Sequence, residues 1–191
     1  MTQEQYNIIF SEAEKVKNEL RTNFDEHPLE TTYALLQSID DINKRLDIES
    51  KVACKGKGCN FCCHDRVYLS SFEINLIKTF IEQNPDYQFV NEEQAKFLDE
   101  TGYIEANNLP FAKRACPFLI NGNCSIYDVR PSICRIHNIS KSEDINKCKR
   151  EKDTDITDEI VNVQAHILST SFLCMDFENG EPIHNLLEAI Y

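Results

Sequence analysis

The chain has 191 residues, 41% of them hydrophobic, with no Trp and only five Gly, which suits one modest domain over residues 1–191. Its net charge of −12 argues against nucleic acid as a partner held by bulk electrostatics. No apolar run approaches the roughly 20 residues that span a bilayer, so a membrane is not expected as a partner either.

Residues 1–50 read as a helical hairpin. Tyr6, Ile9, Phe10, Ala13, Val16 and Leu20 form one apolar stripe at helical spacing, and Asp25 to Pro28 breaks it. Leu29, Tyr33, Leu36, Ile39, Ile42 and Leu46 form a second stripe. Both are expected to face a core. The Tyr6–Leu20 face is also the candidate docking surface for a protein partner.

Residues 51–150 carry most of the cysteines. A loop is expected over 51–66, where Lys55-Gly56-Lys57-Gly58 permits tight turns close to a metal. A helix then starts near Ser70 or Ser71, with Glu73 placed for a capping interaction. It turns Phe72, Leu76, Ile77, Phe80 and Ile81 inward and ends at Asn84-Pro85. A short acidic helix from Glu92 to Glu100 follows an Asn91 cap and stops at Gly102. Phe118-Leu119-Ile120, Asn121-Gly122 and Asn123-Cys124-Ser125-Ile126 give a strand–turn–strand signal that brings Cys116 near Cys124. Asp128 is expected to cap a short helix running through Cys134.

Residues 151–191 supply the C-terminal helices. A long one is expected from about Asp155 to Met175, with Ile156, Ile160, Val163, Ile167, Ser171 and Cys174 on or near one face. Cys174 therefore reads as a buried core thiol. A short helix, roughly Ile183 to Ile190, follows. The expected fold class is mainly α: an irregular helical domain with a small β-hairpin, built around a Cys-ligated metal centre.

Eight of the nine cysteines fall into two groups: Cys54, Cys59, Cys62 and Cys63, then Cys116, Cys124, Cys134 and Cys148. The first group is C-x4-C-x2-C-C within ten residues. The opening MTQEQYNIIFSEAEKVKNEL lacks the basic and apolar regions of a secretory signal, so a cytoplasmic setting is expected. There thiols stay reduced, and clustered cysteines more often bind metal than form disulfides. All eight are candidate ligands, for zinc or for an iron–sulfur cluster. Adjacent Cys62 and Cys63 suit two neighbouring metals, or one ligand and one supporting thiol. His64 and His137 stand close enough in sequence to reach the centre. Cys59-x2-Cys62 has a thioredoxin-like spacing, but no strand precedes it.

Charge travels with the thiols. Residues 51–66 and 113–150 hold twelve Lys/Arg against four Asp/Glu, while the rest of the chain carries a balance of −20. Cations there lower thiolate pKa and offset the charge of a thiolate-rich site. The alternative is a basic pocket for an anionic ligand beside the metal.

With both groups laid out, Cys54…Cys59-Asn60-Phe61-Cys62-Cys63, Cys116-Pro117-Phe118-Leu119, Cys124-Ser125-Ile126-Tyr127, Arg130-Pro131, Cys134-Arg135 and Cys148 carry a resemblance. The chain resembles the YkgJ-type cysteine-cluster family, a zinc- or iron-chelating domain with a CxxCxxCC signature, over residues 54–148. The resemblance implies metal binding by these cysteines. It also implies that Tyr127, Arg130 and Arg135 accompany them as candidate cofactor-binding residues, the arginines donating to thiolates or binding an anion, Tyr127 packing over the centre. The first spacing, x4, is longer than the family's usual one. Flagellin lysine methylases share a similar cluster, so an iron–sulfur enzyme is one alternative. A metal-stabilised interaction module is another.

Overall fold

The computed structural model describes residues 3–45, 60–64, 67–102, 108–137, 163–178 and 184–191. Those residues are mainly helical, with six α-helices and two small two-stranded sheets. In chain order the helices are α1 (Gln3–Glu26), α2 (Pro28–Arg45), α3 (Ser71–Glu82), α4 (Glu92–Thr101), α5 (Ser132–Ile136) and α6 (Val163–Glu178).

The N-terminal hairpin forms as expected, but both helices are rotated from the stripes read in the sequence. α1 buries Ile9, Ala13, Lys17 and Phe24, while Tyr6 and Phe10 lie on the surface. α2 buries Thr32, Leu35, Leu36 and Ile39, and Tyr33 is exposed. The rotation of α1 puts a lysine on the inner face. Lys17 is tolerated there because its Nζ meets Glu14 Oε2 at 2.6 Å, so the charge is buried only as a pair. That bond, chiefly, holds the Glu14 carboxyl below its ordinary range against the opposing effect of burial, and a hydrogen bond from Cys174 adds to it.

α1 lies along α6, and α2 packs on α3 and α6. Phe24 joins these layers, its ring 4.9 Å from that of Phe72 and 6.2 Å from that of Phe172. The expected α6 start near Asp155, with Ile156 and Ile160, lies outside the described residues. Within α6, Val163 is exposed, whereas Ala165, Phe172, Cys174 and Met175 are buried. The helix runs past Met175 to Glu178. Cys174 is the core thiol its position predicted.

α3 matches its sequence signals closely. Ser70 is the N-cap, and its side chain and that of Glu73 form both bonds of a capping box. α4 follows the Asn91 cap and stops at Gly102, whose φ of 84° suits the absence of a side chain. Between them and α5 stands the predicted hairpin, β2 (Leu119–Ile120) and β3 (Asn123–Cys124), with Leu119 opposite Cys124. Asn121 and Gly122 turn it with φ of 50° and 78°, the positive pair that a two-residue loop of this kind needs.

Two local expectations fail. Asp128 does not cap α5: a 3₁₀ turn (Tyr127–Val129) intervenes, and α5 opens after Pro131 with no side-chain cap of its own. Its first amide, Ser132 N, donates instead to Glu73 Oε1 at 2.8 Å, a cap supplied from α3. Nor does a helix span Ile183 to Ile190. His184–Asn185 forms β4, paired antiparallel with β1 (Tyr68–Leu69), and only Leu186–Ala189 makes a 3₁₀ turn. Pairing with a distant strand satisfies the backbone there and outweighs local helical periodicity.

Buried carboxylates bind these pieces in series. Asp176 of α6 accepts from Ser71 N at 2.7 Å and Ser71 Oγ at 2.6 Å, fixing the start of α3. Glu73 of α3 then fixes the start of α5, and Ser169 Oγ of α6 donates to Ser132 Oγ at 2.9 Å.

Candidate metal centre

Five of the eight candidate cysteines fall within the described residues: Cys62, Cys63, Cys116, Cys124 and Cys134. Cys54, Cys59 and Cys148 lie outside them, as does the Lys55–Gly58 turn.

The five come from three places in the chain. Cys62 and Cys63 sit in a 3₁₀ turn (Phe61–His64), Cys116 and Cys124 flank and end the β2–β3 hairpin, and Cys134 lies within α5. One backbone and one side-chain hydrogen bond tie the first two places together. Cys116 N donates to Cys63 O at 2.6 Å, and Asn60 Nδ2 donates to Gly122 O at 3.3 Å. α5 is brought in by the Glu73 cap.

All five are half-buried, and each acts electrostatically on at least one other, with Cys62 acting on all four of the rest. Each of four shows that proximity as resistance to ionisation. Cys63 is pushed far up, first by its hydrogen bond with Cys62 and then by burial, with Cys116 and Cys134 adding repulsion. Cys116 is pushed up to about 12, mainly by burial. Cys134 is raised well above the ordinary thiol range by burial and then by Cys62, Cys116, Cys124 and Glu73. Cys124 rises by burial, with the Ile126 amide and the charges of Arg130 and Arg135 pulling the other way. These four thiols therefore stand neutral at neutral pH in the absence of a cation. A soft cation would reverse this balance, because it attracts every thiolate that the others repel.

Among the described residues, no three His, Cys, Asp or Glu side chains stand in a group that could hold a metal ion. The described thiols gather in one neighbourhood without closing a ligand set.

The surroundings are cationic, as the charge pattern anticipated. Arg135 is buried, donating from Nε to Arg130 O at 2.9 Å and from Nη2 to Asp128 O at 2.7 Å. Arg130 lies over the Tyr127 ring, 4.0 Å from its centroid, so Tyr127 packs against a guanidinium. Both arginines bond Asp40 of α2, a residue to which no sequence signal pointed. Arg114, two residues before Cys116, has a buried Nε with no hydrogen-bond partner among the described residues. His64 stacks on Phe111 at 4.0 Å, with Nδ1 2.9 Å from Phe111 O. His137 closes α5 as its C-cap. Soft sulfur donors with Arg130 and Arg135 acting on Cys124 are of the kind that suits a soft metal such as zinc or iron.

A family model matches residues 53–154: CxxCxxCC, described as a "putative zinc- or iron-chelating domain". No curated protein and no solved structure matches the chain.

Proposed function

The chain belongs to the CxxCxxCC family, and from that premise we propose that it binds zinc or an iron–sulfur cluster through its clustered cysteine thiolates. The supporting observation is the convergence of Cys62, Cys63, Cys116, Cys124 and Cys134, from three separated segments, on one neighbourhood. Cys54, Cys59 and Cys148 complete the proposed donor set. Bound there, the group would supply a folding cross-link in the case of zinc, or an electron-transfer centre in the case of iron and sulfide.

The chain's own residues do the preparation. The Asn60 side-chain bond to Gly122 O and the Cys63 carbonyl's bond from Cys116 N hold the vicinal pair against the hairpin. Arg130 and Arg135 favour the charged form of Cys124. Thiols that ionise reluctantly give up their protons on binding, so affinity should rise with pH and binding should release protons. A reducing intracellular compartment would keep the thiols available.

Single substitutions test the reading. Cys62→Ser and Cys134→Ser should each cut bound metal and lower thermal stability. Cys174→Ser should lower stability while leaving metal content unchanged, because Cys174 is buried in the α1–α6 core beside Glu14. Full metal retention in both of the first two variants would sink the ligand assignment.

A further inference from the structure

This inference rests on the metal-binding reading and gives a task to the N-terminal hairpin, which precedes the family-matched segment. Asp40 sits on α2, and each of its carboxylate oxygens engages a different guanidinium: Oδ1 takes Arg130 Nη2 at 3.0 Å, and Oδ2 takes Arg135 Nη1. The Arg135 side chain is fully buried, and its remaining bonds go to the Arg130 and Asp128 carbonyls. Arg130 is fixed on its other side by Tyr127, through the ring and through Nη1 to Tyr127 O at 2.9 Å. Nearly a turn beyond Asp40, Asn43 Nδ2 donates to Arg135 O at 3.1 Å. Arg135 directly follows Cys134, and both cations act on Cys124.

We propose that Asp40 is a positioning residue for the cysteine cluster: it clamps Arg130 and Arg135 beside the thiols, and so couples the hairpin to metal binding. Two guanidiniums held together by one carboxylate can share a small space that they could not share alone. Without the clamp they would repel one another and swing toward water, taking their charge from the thiolates.

The sign of the effect separates this role from a simple charge effect. Removing a negative charge near a thiolate site should, by Coulomb's law alone, strengthen cation-supported thiolates and tighten metal binding. Removing a clamp should weaken it. The test uses the full chain, loaded with Co²⁺ as a probe, with affinity read by chelator competition and the thiolate-to-cobalt absorption band recorded for each variant. Asp40→Asn should weaken Co²⁺ binding about tenfold and alter the band, and Asp40→Glu should restore affinity to within about threefold. Phe24→Leu, which loosens the core contacts with Phe72 and Phe172, should lower thermal stability and change neither readout.

Unchanged or tighter binding in Asp40→Asn would overturn the clamp, as would equal weakening in Phe24→Leu. A wild-type chain with no thiolate-to-cobalt band would overturn the metal-binding reading and the clamp with it. If Asp40→Asn does not fold, Arg130→Gln breaks the same contact at a partly exposed position and should give the same weakening; wild-type affinity in that variant would overturn the clamp.

Discussion

At Glu73, burial and hydrogen bonding pull in opposite directions. Its carboxylate accepts from Ser70 N at 3.0 Å, Ser70 Oγ at 3.1 Å and Ser132 N at 2.8 Å, all of which favour the charged form. Complete burial outweighs them, and the carboxyl is held above its ordinary range. A carboxyl raised in the folded state contributes stability that is fully present below its unfolded pKa and lost as pH rises through the folded value. Glu73→Gln should therefore flatten the fall in stability between mildly acid and neutral pH, as read from denaturant midpoints in the metal-free protein. An unchanged slope would contradict the burial argument. Glu73→Ala, which strands two buried amides, should cost about 3 kcal/mol. The capping role of Glu73 was legible from Ser70-x-x-Glu73, but its second partner, Ser132, was not, because that contact spans 59 residues. Asp40 was illegible for the same reason: it reaches Arg130 and Arg135 across 90 and 95 residues. The cysteines announced themselves by density alone.

Among the elements, those with local signals were readable and those made by distant pairing were not. Asn121-Gly122 between Phe118-Leu119-Ile120 and Asn123-Cys124-Ser125-Ile126 specified the β2–β3 turn. β1 and β4 carry no such signal, since Tyr68 finds Asn185 across most of the chain. The rotation of α1 could not be read because period alone does not say which edge of a stripe faces inward, and a lysine paired with Glu14 can take an apolar residue's place. The turn offers a test. A Cβ at Gly122 would meet Asn60 Nδ2 at 3.5 Å, an ordinary contact, so the cost of Gly122→Ala comes from its φ of 78°. That cost should be about 1 kcal/mol by chemical denaturation. Because the Asn60–Gly122 bond ties the Cys62–Cys63 turn to the hairpin, the variant should also weaken metal binding. A stability equal to wild type would contradict the strained-turn argument.

Across the described residues, the longer helices act as a frame for the thiols carried on the 3₁₀ turn, the hairpin and α5. α6 fixes α3 through Asp176, α3 fixes α5 through Glu73, and α2 reaches the arginines beside Cys134 through Asp40. Among the described residues, no helix is long and apolar enough to cross a membrane. The described core is apolar but modest; Cys116 and Cys124 pack against it, and the protonated thiols of the metal-free chain supply no cross-link between its pieces. A bound metal would make that cluster a cross-link between the 3₁₀ turn, the hairpin and α5. Purification without oxygen, followed by elemental analysis and visible absorption of the same sample, measures this directly. The expected result is zinc or iron at one or more atoms per chain, with a brown colour and matching sulfide if the centre is an iron–sulfur cluster. A folded chain carrying only trace zinc and iron, with all nine cysteines titrating as free thiols, would contradict it.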